Sequence, residues 1–260
     1  MTFIKPNLVA ACAAILVCGS AFADNFALSA IDRGWYNNSG LHSPTNMNYV
    51  TGEFIGQEYR NWFVFDLSNI SQEILLIQFI ALNPSGDNSG YVSPDPTETY
   101  SIFDVSTDIN LLTSGNAGIE AFDDLATGNV YASQVASQED NGTYLTIMLN
   151  ENALADANKA IGGLWAIGGL LTTIDLKTED IEQLFSATNN GILNDTFILV
   201  ITANPIPGDL DGDGVVGTSD LLILLTLWGE CINCKDCLAD LDDDCNIGTS
   251  DLLILLNNWG

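Results

Sequence analysis

Short apolar runs, broken by glycine, proline, asparagine and aspartate clusters, fill the chain from Asp24 to Asn204. Runs of this length, rich in β-branched, aromatic and leucine residues and bounded by turn formers, predict strands. Eight follow: Phe26 to Ile31, Tyr49 to Phe54, Arg60 to Leu67, Ile74 to Leu82, Thr99 to Val105, Thr143 to Leu149, Leu164 to Leu171 and Thr196 to Thr202. In Arg60 to Leu67, Phe63, Phe65 and Leu67 fall on one face and Trp62, Val64 and Asp66 on the other, which predicts a strand covered on both sides. One helix interrupts the series, from Glu151 to Ile161, with Asn150 as its cap and Gly162 as its end. The expected fold is mainly β: a β-sandwich, with a jelly roll as one form of it.

A repeat closes the chain. Gly208 to Gly229 and Ala239 to Gly260 align at an offset of 31, with 15 of 22 positions identical. In each copy an acidic loop precedes an apolar run, Leu221 to Trp228 and Leu252 to Trp259, which predicts two short helices packed on each other. The expected divisions are a signal peptide over 1–23, a β-sandwich over 24–204, a linker over 205–207 marked by Pro205 and Pro207, and the duplicated module over 208–260.

The first residues carry an export pattern. Lys5 precedes the apolar run Leu8 to Val17, and Ala21-Phe22-Ala23 offers the small-x-small pattern of a cleavage site before Asp24. That run is well short of the roughly 20 residues a spanning helix needs, so no membrane span is expected after cleavage. Val9-Ala10-Ala11-Cys12 is a lipoprotein-like alternative with almost no apolar stretch before it. The expected location is outside the cell or on its surface.

Without Lys5, five basic residues face 34 acidic ones. Nucleic acid binding rests on clustered Lys and Arg, so nucleic acid is excluded as a partner, and anionic membranes are disfavoured. Divalent cations suit such a surface.

The repeat shows where cations would bind. Calcium takes six to eight oxygen ligands, and a single tight loop supplies them from positions 1, 3, 5, 7 and 12. Asp209, Asp211, Asp213 and Asp220 stand at positions 1, 3, 5 and 12, with Gly214 at the turn and the Val215 carbonyl at position 7. Asp240, Asp242, Asp244, Asn246 and Asp251 repeat the pattern, so two calcium ions are expected. A solvated acidic turn is the plain alternative. On these residues the segment Gly208 to Gly260 resembles the dockerin family, whose paired loop-helix units dock onto cohesin domains of scaffold or surface proteins. The resemblance implies a docking role for the hydroxyl pairs at positions 10 and 11, Thr218 and Ser219, then Thr249 and Ser250. Three features depart from the family: Gly217 and Gly248 at position 9; Leu225 and Thr226, then Leu256 and Asn257, where a basic pair is usual; and Cys245 in place of the turn glycine.

A non-glycine residue at positive φ costs on the order of 1 kcal/mol, so Cys245 needs something to offset it. Cys231, Cys234 and Cys237 lie between the copies, and four cysteines in an exported segment suggest two disulfides with three connectivities open. Half a zinc site or a redox pair at Cys231-x-x-Cys234 is the alternative.

The larger domain resembles a group of secreted bacterial β-sandwich proteins that often end in a PEP-CTERM sorting tail. The matching stretches are Gly34 to Asn37, Tyr59 to Leu67, Ser93 to Tyr100 and Phe103 to Ser106. The resemblance implies fold and export. Catalysis has little to stand on, since the single His42 sits in a Gly-Leu-His-Ser-Pro loop and reads as a surface residue. Trp35, Tyr36, Tyr49 and Tyr91 lie in or beside polar stretches and are candidates for stacking on sugar faces, core packing being the alternative. Asp87, Asp95 and Glu98 share one long loop with irregular spacing.

The expected function is thus a non-catalytic glycan- or partner-binding sandwich, assembled through a calcium-ordered module on a cohesin-like or other scaffold. The alternatives are a polysaccharide-degrading hydrolase carrying the same module, and a structural surface or matrix protein.

Overall fold

The computed structural model describes residues 25–175, 181–186, 196–202, 206–211, 213, 215–231 and 237–260. The expected signal peptide, Pro205 of the expected linker, Gly214 and Cys234 lie outside them. The strands are β1 (Asn25–Asn37), β2 (Thr51–Phe54), β3 (Gln57–Asp66), β4 (Ile74–Asn83), β5 (Gly90–Val92), β6 (Glu98–Asp104), β7 (Val130–Ala136), β8 (Thr143–Met148), β9 (Leu164–Leu171), β10 (Ile181–Ser186) and β11 (Thr196–Thr202). Helices α1 (Ile109–Ser114) and α2 (Gly118–Asp124) follow β6, and α3 (Glu151–Lys159) follows β8. The duplicated segment holds α4 (Thr218–Thr226), α5 (Thr249–Asn257) and the short strands β12 (Gly229–Glu230) and β13 (Asn246–Ile247).

The chain is mainly β, as the sequence predicts. Strands β1 to β11 join one large, curled sheet whose pairs are all antiparallel, in the order β5-β10-β2-β3-β1-β11-β4-β8, while β9 pairs β3 and β6, and β6 also pairs β7. Strand β1 changes partner along its length. Its residues from Asn25 to Ser29 pair β11, a register shift falls between Ala30 and Asp32, and the rest pairs β3.

The two faces of β3 carry separate cores. Phe63, Phe65 and Leu67 pack with Ile77, Phe79, Ile147 and Val200, and the Phe63 and Phe79 rings lie 4.9 Å apart. Trp62 and Val64 pack on the other face with Tyr36, Leu112, Phe122 and Leu125. The cover on that second face is α1 and α2, which the sequence pattern did not reveal. Both are too short to show a helical period; Asp108 caps the first by accepting the Leu111 N–H at 3.1 Å, and Arg60 ties down the second, its guanidinium stacked 3.9 Å from the Phe122 ring and bonded to that residue's carbonyl at 2.8 Å. Gly168 and Gly169 of β9 leave room for Leu125 and Tyr100, with which a Cβ at either position would collide.

Helix α3 forms where its cap predicts. The Asn150 side chain accepts from Asn152 and Ala153, and Asn158 bonds both the N–H and the carbonyl of Ile74, fixing α3 to the start of β4.

Candidate metal centres in the duplicated segment

The two copies fold alike. Each acidic loop leads into a helix, and Leu210, Val216 and Leu224 meet Ala239, Ile247 and Leu255 in a small shared core. Each copy's loop also pairs with the segment after the other copy's helix: Ile247 opposite Gly229, and Val216 opposite Trp259. Both helices start three residues before the apolar runs, at Thr218 and Thr249. Asp220 and Asp251 account for this. Each turns inward and accepts the N–H of the residue before its helix, Gly217 or Gly248, at 2.7 Å, which satisfies a donor the helix start leaves open.

The acids converge in the same way in both loops. One oxygen each from Asp209, Asp211 and Asp220 lies within 4.8 Å of the other two, and Asp240, Asp242 and Asp251 form the same trio. Asp209, Asp220, Asp240 and Asp251 are buried, while Asp211 and Asp242 are exposed. Burial on its own would raise the Asp220 carboxyl, but N–H groups from Gly217, Asp211 and Leu210 overcome it and hold the group below its usual value. The position-5 carboxylates are members of neither trio, although the N–H groups of Asp213 and Asp244 bond trio carboxylates. Asp213 instead accepts the Val215 N–H at 2.9 Å, and Asp244 that of Asn246 at 2.8 Å. A donor set made only of carboxylate oxygens, on a span two metal–oxygen bonds can cover, suits a hard divalent cation.

The hydroxyl pairs fall in the first helical turns, with Thr218, Ser219 and Thr249 exposed and Ser250 half-buried. Cys245 has φ 69°, the left-handed backbone its position predicts. It is disulfide-bonded, its N–H bonds Asp240 at 2.8 Å, and its carbonyl accepts from Cys231 at 3.1 Å. Cys231 is bonded to Cys237, which replaces the zinc or redox reading of that cysteine.

In the larger domain the stacking candidates divide. Tyr36, Tyr49 and Tyr91 are buried and so are core residues; the Tyr36 hydroxyl bonds the Leu112 carbonyl and that of Tyr49 the Leu82 carbonyl. Only Trp35 stays half-exposed, edge-on to Tyr59 at 5.1 Å. His42 is not the surface residue its loop suggests. Its ring packs against Tyr36 and Trp62, with both nitrogens out of solvent, and burial lowers its pKa against a smaller opposing pull from the Trp35 backbone. A polar cleft of about 210 Å³ opens beside Asn88, Ser89, Ser93, Gln138 and Asn141. Among the described residues no helix is long and apolar enough to cross a membrane.

Set against known protein families and characterised proteins, the chain matches none.

Proposed function

We propose that this is an exported calcium-binding protein whose dockerin-like module, ordered by two calcium ions, assembles a non-catalytic β-sandwich onto a partner. The observation that carries this is the duplication of both chemistry and surface. Each copy gathers the carboxylates of positions 1, 3 and 12, and each helix with the segment just after it leaves the same residues in solvent: Leu222 and Leu253 at 63% and 62% exposed, Trp228 and Trp259 at 44% and 43%. Exposed apolar residues repeated in this way support a docking face, of the kind a cohesin-like domain would cover.

The passage of β1 between two sets of strands whose side chains share one core supports a sandwich. The cleft lined by amide and hydroxyl side chains supports a glycan as its ligand, since these groups match sugar hydroxyls. A polysaccharide hydrolase is the second reading. The paired acids it needs exist in Glu98 and Glu182, but both are buried, which counts against it. Retention of the full-length chain on a polysaccharide panel tests the choice. Saturable binding without product release is the expected result; reducing-sugar release would favour the hydrolase, and neither would leave a structural surface protein.

A further inference from the structure

Glu98 and Glu182 are far apart in the sequence and adjacent in the fold. Glu98 opens β6, Glu182 stands on β10, and they are 1% and 2% exposed. One oxygen from each, with one from Asp95 in the preceding turn, lies within 4.8 Å of the others. Glu98 is held by the hydroxyls of Ser93, at 2.9 Å, and Thr173. Glu182 accepts the Asp175 N–H on Oε2 at 2.9 Å, while its Oε1 is sealed from solvent with no hydrogen-bond partner. The turn is fixed by the Tyr91 hydroxyl, which donates to the Asp95 carbonyl at 2.7 Å.

No basic side chain among the described residues pairs with either glutamate. Glu182 also stands opposite Glu53 on β2, itself 3% exposed, and directly opposed residues of an antiparallel pair share a face. Burying one ionised carboxylate without a partner is strongly unfavourable. Several together, with one oxygen unbonded, call for a positive charge at that point.

We propose that Asp95, Glu98 and Glu182 form a calcium site on the larger domain, separate from the duplicated loops. Calcium–oxygen bonds of about 2.3–2.6 Å allow ligand atoms up to about 5 Å apart, and the 4.8 Å spread fits that span. The donors are all oxygen. The ion joins the turn before β6 to β10, and neutralises carboxylates that otherwise repel.

Equilibrium dialysis of calcium against the full-length chain tests this, with Asp209→Ala and Asp240→Ala introduced in both arms so that the duplicated loops do not contribute. The proposal expects one bound ion per chain, lost in Glu98→Gln plus Glu182→Gln. It expects calcium to raise the melting temperature of the first protein and not of the second. Because the amides remove repulsion, the doubly substituted chain folds without calcium; should it not, Asp95→Asn, at an exposed position, is expected to weaken binding at least tenfold. An unchanged calcium count after the Gln substitutions overturns the proposal. So does a carboxylate pair that merely shares a proton, which shows as melting that responds to pH and not to calcium.

Discussion

Asp220 and Asp251 close their loops with the same two bonds: one oxygen takes the N–H of Leu210 or Leu241, the other that of Gly217 or Gly248, and all four distances are 2.7 Å. These carboxylates therefore act on the backbone before any cation acts on them. Carboxylates that accept several N–H bonds in a buried place stabilise the surrounding turn, and they remain able to lend further lone pairs to a cation.

The two roles separate by substitution. Asp220→Ala leaves buried N–H groups unsatisfied and is expected to cost about 1–3 kcal/mol even in EDTA. The loss reads out as faster amide exchange at Leu210 and Gly217. Asp213→Ala removes an exposed residue with one local bond, and is expected to stay within about 0.5 kcal/mol in EDTA while weakening calcium binding. Equal loss of stability in both variants contradicts this division.

Cys245 carries a backbone strain of its own. At φ 69°, glycine fits freely and alanine does not. Under reducing conditions Cys245→Gly is expected to protect the Cys231 amide, which bonds the Cys245 carbonyl, more than Cys245→Ala does, by about 1 kcal/mol in exchange free energy. Equal protection would mean that the turn does not need the left-handed backbone.

His42 sets a pH dependence in the larger domain. Burial holds its pKa below the ordinary value of about 6.5. Above that value the ring is neutral in both folded and unfolded chains and stability is unaffected. As pH falls below it, the unfolded chain takes up a proton that the folded one resists, so stability declines through the window between the ordinary and the lowered value. Denaturant melts of the wild type and His42→Phe between pH 7 and pH 5 check this; the variant is expected to lose that slope, and an identical slope in both contradicts it.

Most of the strands were legible because sheet strands of this kind carry a strong local signature, while their order in the sheet was not. Phe63 and Trp62 announced opposite cores from their alternation alone, and Asn150 announced its helix. The other features depend on partners distant in sequence. Helices α1 and α2 are six and seven residues long, too short for a period to show, and β10 becomes a strand by pairing β2 and β5. His42 looked exposed because it sits in a short loop between Gly40 and Pro44, and the rings of Tyr36 and Trp62 cover it. In the duplicated segment the offset of 31 made the acids easy to find. That the Asp213 and Asp244 carboxylates are in neither trio was not readable, since it depends on which N–H groups those side chains bond. Glu182 had no local signal at all. Only the fold brings it to Asp95 and Glu98, while Asp87 of the same loop stays outside that cluster.

Calcium in the duplicated loops is the claim on which the proposed assembly role rests. Isothermal calorimetry of the oxidised full-length chain, compared with the chain carrying Asp209→Ala and Asp240→Ala, tests it most directly. The account predicts that the substitutions remove two bound calcium ions per chain. The same number of ions in both proteins would contradict it.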